Sequence, residues 1–127
     1  MLERVTDKTR FCTIANPNNP TGTYLAAGEL RRALAGLPDD CLFLVDDAYA
    51  EYVTADDYSD GSELVEAFDN VVMTRTFSKI YGLPSLRVGW AYCPAPVFRL
   101  PHVDRDMFCS RPENFNRFAR LCQETLR

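Results

Sequence analysis

Histidine and lysine are scarce in this chain. It holds one histidine, His102, and two lysines, Lys8 and Lys79, against twelve arginines in 127 residues. A single histidine, with no Cys-x-x-Cys pair among the five cysteines, excludes the common zinc-ligand spacings. The odd number and scatter of Cys12, Cys41, Cys93, Cys109 and Cys122 argue against a disulfide framework and suit reduced thiols in a cytoplasm. Cys12, Cys41 and Cys93 lie in apolar runs and are expected to pack as small hydrophobes. No apolar run approaches the roughly 20 residues that a membrane span needs, so no membrane partner is expected. The N-terminus lacks a secretory pattern, because Glu3, Arg4, Asp7, Lys8 and Arg10 crowd it. Positive charge is in deficit: the net charge is −4 and the isoelectric point about 4.9. Nucleic acid calls for a basic footprint, so it is not an expected partner. Between Arg32 and Arg75 lie eleven acids and no lysine or arginine, which predicts a solvated acidic face.

What is present suits one domain with a core, since 46% of the residues are hydrophobic. Phe11 to Ala15 reads as a short strand running into the turn-rich segment Asn16-Pro17-Asn18-Asn19-Pro20-Thr21-Gly22. Leu25, Leu30, Ala33, Leu34 and Leu37 recur at helical spacing, and Gly36 with Pro38 ends that helix. Cys41 to Val45 is a continuous apolar run, as in a strand buried on both faces. Asp60 and Glu63 mark the start of a short helix through Leu64, Val65 and Phe68. Val71 to Thr74 is a further buried strand, and Leu86 to Tyr92 another strand candidate. Strands alternating with helices predict an α/β layer with a mostly parallel sheet. Past Cys93 four prolines break the pattern, and Phe115, Phe118, Ala119, Cys122 and Leu126 could line one face of a final helix.

Three polar clusters each follow an apolar strand: Asn19, then Asp46 with Tyr49, then Thr76, Ser78 and Lys79. In open α/β sheets ligands sit beyond the carboxyl ends of the strands, so the clusters could converge on one site. Their chemistry is specific in combination. An amine such as that of Lys79 condenses with an aldehyde. The hydroxyls of Thr76 and Ser78 with the guanidinium of Arg87 suit a phosphate ester. An aldehyde and a phosphate on one small molecule describe pyridoxal 5′-phosphate. Its ring nitrogen needs a carboxylate to stay protonated, for which Asp46 is the candidate; Asp47, its neighbour, would point the other way. The ring oxygen needs donors, which Asn19 and Tyr49 can supply. Lys79 could then move a proton at the substrate carbon. Each piece alone also fits an ordinary turn or surface residue; their shared order and spacing give them weight. Tyr24, Tyr52 and Trp90 read as core or rim aromatics, and His102 has no assigned role.

These blocks carry a family resemblance. Ala15 to Leu25, Val45 to Tyr52, and Val71 to Lys79 with its continuation to Tyr92 resemble the fold-type-I, pyridoxal-phosphate-dependent aminotransferases. Within them they look most like the histidinol-phosphate aminotransferases. The resemblance covers about residues 10 to 93. It implies that Lys79 is the cofactor-bearing lysine, Asp46 the partner of the pyridinium, and Asn19 with Tyr49 the donors to the ring oxygen. Thr76, Ser78 and Arg87 match phosphate ligands. It further implies amino-group transfer between glutamate and imidazole-acetol phosphate in histidine biosynthesis, by cytoplasmic homodimers acting on amino-acid and phosphorylated small molecules. A decarboxylase of amino-acid phosphates shares the same blocks. The family chain is much longer, so residues 1–93 are expected to be part of the large domain of the aspartate-aminotransferase-like fold. Residues 94–127 would form a divergent tail, as a shifted reading frame produces. An incomplete piece of this kind is not expected to be active alone.

Overall fold

A computed structural model describes residues 2–98 and 108–110. Its frame is one five-stranded sheet in the order β1 (Phe11–Ala15), β2 (Leu42–Asp46), β3 (Val71–Thr76), β4 (Gly89–Cys93) and β5 (Phe108–Ser110). The β1–β2, β2–β3 and β4–β5 pairs are parallel, and β3–β4 is antiparallel. The expected mostly parallel α/β sheet is therefore present. The parallel connections run through α1 (Ala27–Ala35) and α2 (Ser62–Ala67); a short α3 (Ala95–Phe98) follows β4. The expected helix over 115–126 and His102 lie outside the described residues.

Strand alternation divides the side chains between two faces. Phe43, Val45, Val71 and Met73 join Leu30, Leu34, Leu64 and Val65 of the helices in the main core. Phe43, Val45, Leu64 and Val65 are wholly shielded from water. Fully burying each such side chain contributes about 1.5–3 kcal/mol, so this layer carries most of the stability. The opposite face is thinner: Val72, Ala91 and Cys93 pack with partly covered Leu42, Leu44 and Val97. The β2 run is thus buried on one face and half-buried on the other, not buried on both as its unbroken apolar sequence predicts. Among the described residues Cys12, Cys41 and Cys93 form no disulfide, and burial pushes the Cys12 and Cys41 thiols up.

Element ends differ from the sequence expectation for local reasons. The first helix starts at Ala27, because the side chain of buried Asn16 holds both backbone polar groups of Leu25. The Glu29 carboxylate accepts from the Ala26 backbone amide at 3.1 Å and closes the helix start. Asp60 accepts from the amide and hydroxyl of Ser62, at 3.1 and 2.6 Å, and so organises the α2 entry. The fourth strand starts at Gly89, not Leu86. Pro84–Leu86 forms a 3-10 turn, and Arg87 takes a left-handed conformation at φ 52°. Gly89 is forced by proximity: a Cβ there would lie 2.6 Å from the Arg75 carbonyl oxygen.

The acid-rich stretch is only partly the solvated face that its charge predicts. Asp39, Asp40, Asp56, Asp57, Glu63, Glu66 and Asp69 are exposed. Asp47 is fully buried, and Glu51 and Asp60 are spent on Arg75.

Candidate active site

The three clusters stand at the carboxyl ends of β1, β2 and β3. These strands are parallel and in register, with Ala15 opposite Asp46 and Asp46 opposite Thr74, so their ends open on the same edge. The loop after β1 folds back through Gly22, at φ 70°, and closes with Gly22 and Asn18 sharing a 2.8 Å backbone bond. That turn presents Asn19, whose amide donates to the Tyr49 hydroxyl at 3.0 Å. The Lys79 ammonium lies over the Tyr49 ring, 4.9 Å from its centroid. Residues 30 and 60 positions away from Asn19 in sequence thus meet around one phenol. A groove of about 350 Å³ opens beside them, lined by Asn19, Tyr49, Tyr52 and Val53 among others.

Asp46 ends β2 half-buried. Its Oδ1 accepts from the Ala48 amide at 3.2 Å and from the Thr74 hydroxyl at 3.5 Å. Both bonds fall on one oxygen, which leaves Oδ2 for another donor. Asp47 points to the opposite face, as strand alternation predicts. Farther along, the Thr76 hydroxyl accepts from the Ser78 amide at 3.1 Å, so these two share one turn. Phe77 donates to the Val88 carbonyl at 3.1 Å and closes residues 77–88 into a loop at its base. Lys79 and Arg87 sit exposed on that loop. The Arg87 guanidinium donates to the Pro84 carbonyl at 3.2 Å. Asn19, Tyr49 and Lys79 are therefore drawn together, Thr76 and Ser78 are paired, and Arg87 is engaged within its own loop.

Sequence reasoning did not single out the buried polar cluster behind this edge. Arg75 leaves β3 on the core face and binds Glu51 at 2.8 Å and Asp60 at 2.5 Å. Its guanidinium also lies 5.9 Å from the Trp90 ring centre. Burial alone would lower the Arg75 pKa, but Asp60 and Glu51 outweigh it and the net shift is upward. Burial likewise pushes Asp60 up, yet Ser62 and Arg75 reverse this and hold it below the usual range. Tyr58 has its hydroxyl 2.8 Å from the Asn16 carbonyl oxygen and 3.1 Å from Asp47 Oδ1. Burial raises the Tyr58 pKa, and Asp47 adds to that. The usable signal was the alternation Phe43, Val45, Asp47, which sends a carboxyl into the core. A wider groove, about 840 Å³, runs along Glu51, Asp57, Asp60 and Glu63. That lining repels anions and is no home for a phosphate.

The family model for aminotransferase class I and II matches residues 1–119. The chain belongs to this family. It is 58% identical over 108 residues to a histidinol-phosphate aminotransferase of Rhodospirillum centenum, covering 85% of this chain and 30% of that protein. The histidinol-phosphate aminotransferase of Sinorhizobium meliloti, solved in complex with pyridoxal-5′-phosphate, superposes with a TM-score of 0.56 at 35% identity. That likeness covers 62% of this chain and 21% of the solved one. The L-threonine-O-3-phosphate decarboxylase of Porphyromonas gingivalis gives a TM-score of 0.55 at 34% identity, over 65% of this chain and 24% of the other. The chain thus spans less than a third of the length of the curated relatives it matches.

Proposed function

We propose that this chain carries part of the pyridoxal 5′-phosphate site of an aminotransferase of the histidinol-phosphate type. The observation that carries the reading is the meeting of Asn19, Tyr49 and Lys79 at the strand-end edge where Asp46 also ends. The donor set suits the cofactor. One Asn19 amide hydrogen is used on the Tyr49 oxygen, so the second amide hydrogen and the Tyr49 hydroxyl hydrogen are left for a ring oxygen. The open Asp46 oxygen suits a protonated ring nitrogen. Thr76, Ser78 and Arg87 would hold the phosphate, with Arg87 leaving its Pro84 carbonyl to do so. When bound, the cofactor supplies an electron-accepting ring that stabilises negative charge on a substrate carbon.

The residues then have separate tasks. Lys79 would hold the cofactor at its aldehyde, and its free amine would carry a proton to and from the substrate carbon. Tyr49 lies against the Lys79 ammonium and holds it at the strand-end edge. Residues 1–93 act as part of the large domain, in a cytoplasmic homodimer that completes the site. Glutamate and imidazole-acetol phosphate are the proposed reactants. The similar likeness to the threonine-phosphate decarboxylase favours one second reading, in which the same residues serve removal of a carboxylate from an amino-acid phosphate.

Reductive trapping tests the reading. The chain is mixed with pyridoxal phosphate and reduced with borohydride, and the label is located by peptide mass. The label is expected on Lys79 and absent from Lys79→Ala; a label elsewhere, or none, overturns the assignment. Adding glutamate before reduction should diminish the Lys79 label if amino transfer occurs, whereas adding threonine phosphate and collecting carbon dioxide tests the decarboxylase.

A further inference from the structure

Two acceptors compete for one hydrogen at Tyr58. Its hydroxyl lies 2.8 Å from the Asn16 carbonyl oxygen and 3.1 Å from Asp47 Oδ1. A phenol carries a single hydrogen, and a carbonyl can only accept. With the Tyr58 hydrogen on the shorter contact, a hydrogen on the carboxyl makes good the longer one. We infer that Asp47 is a neutral acid in the folded protein and heads a directed chain, from the Asp47 carboxyl to the Tyr58 hydroxyl to the Asn16 carbonyl, that positions the ends of β1 and β2.

The surroundings agree with this geometry. Asp47 is 0% exposed, and its Oδ2 is buried with no hydrogen-bond partner. An ionised carboxylate would leave that oxygen charged and unsolvated, the costliest arrangement for a buried group. Among the described residues one cation acts on Asp47, Arg75 of β3. It is already bound by Glu51 from the turn after β2 and by Asp60 from the loop before α2. Asp46 adds a further carboxylate next to it in the strand. Carboxylates thus outnumber the cation before Asp47 is considered. Burial pushes Asp47 up to about 9; Arg75 and the Tyr58 hydroxyl oppose the shift, and Asp60 and Asp46 reinforce it.

The chain acts on position, not on a ligand. The Asn16 amide donates to the Asp46 carbonyl at 2.9 Å, and the Asn16 side chain holds Leu25 on both sides. A neutral Asp47 therefore orients the segment that leads to Asn19 and the residue beside Asp46. This inference concerns protonation in the apo chain and does not depend on the cofactor reading.

The sign of the linkage gives the test. Unfolded, Asp47 loses its proton near 3.8; folded, it keeps it to about 9. Between those values the unfolded state binds fewer protons, so the contribution of Asp47 to stability falls as pH rises. Asp47→Asn supplies an N–H toward Tyr58 without a titration. Urea unfolding of the full chain and of Asp47→Asn, at about pH 5 and about pH 8, isolates this group because the other titrating groups are common to both. The variant is expected to resist urea better at the higher pH, with a gap that narrows at the lower. A variant that is weaker at the higher pH, that shows no change in the gap, or that does not fold overturns the inference. Infrared spectra of the chain labelled with ¹³C-carboxyl aspartate give a second reading. A neutral carboxylic-acid band is expected at neutral pH in the unsubstituted chain and not in Asp47→Asn; its absence from the unsubstituted chain overturns the inference.

Discussion

The two faces of the β2 strand end handle polar groups in opposite ways. On the core face buried Asp47 and Asn16 meet half-buried Tyr58, and half-buried Arg75 is held by Glu51 and Asp60. On the other side Asn19, Tyr49 and Lys79 meet at the surface with hydrogens and charge left over. Polar groups taken out of water are held by partners, because leaving one unpaired costs about 1–3 kcal/mol; Asp47 Oδ2 and Arg75 Nε are the exceptions in this cluster. Unsatisfied groups at a strand-end edge cost little while water reaches them, and they are what a ligand can use. The pleat thus sends adjacent carboxyls, Asp46 at the end of β2 and Asp47 just past it, to opposite faces.

Four substitutions can break or sharpen that contrast. Arg75→Ala should have the largest effect on stability, about 3–5 kcal/mol, since Glu51 and Asp60 would lose the cation between them; a urea midpoint within error of the parent chain would contradict the buried network. Gly89→Ala comes next, at about 1–3 kcal/mol, because its Cβ would press on the Arg75 carbonyl. Thermal melting measures it, and an unchanged melting point would show that the β3–β4 approach relaxes freely. Tyr58→Phe should cost about 1 kcal/mol by removing the hydrogen to the Asn16 carbonyl. Chemical denaturation reads that loss, and a gain in stability would count against the directed chain. Lys79→Ala should move stability by less than about 0.5 kcal/mol, since the side chain is exposed, while abolishing the borohydride-trapped label. A large loss of stability there would place Lys79 on the architectural side after all.

pH should act in opposite senses on two carboxyls of the core face. The Asp60 carboxyl is held low, so its contribution is present above the unfolded value near 3.8 and is lost as pH falls through the lower folded value. Asp47 runs the other way and weakens the fold as pH rises toward about 9.

Much of the frame was legible in the residues. Phe11 to Ala15 matches β1 at both ends, and the Val71 and Cys41 runs differ from β3 and β2 by one or two positions, because apolar β-rich runs bounded by turns leave few alternatives. The Leu86 start failed because Pro84 and the left-handed Arg87 hold the chain in a turn until Gly89 can approach β3. The positions of Asn19, Asp46, Tyr49, Thr76, Ser78 and Lys79 at or just past strand ends were legible, because each stands where an apolar run stops. The partners of Asp47 were not, since Tyr58 lies 11 residues away and meets it only once β2 and α2 are packed.

Sequence alone determined the alternation of strands and helices and the residue types that stand at strand ends, because spacing and chemistry are local properties of the chain. It also determined that Asp46 and Asp47 face apart, since a pleated strand turns successive side chains to opposite sides. Tertiary structure decided which carboxyl is buried without a free cation, which arginine is held by two acids, and which amide reaches Tyr49. Those outcomes depend on distances between segments far apart in the chain, and only the packed sheet fixes such distances.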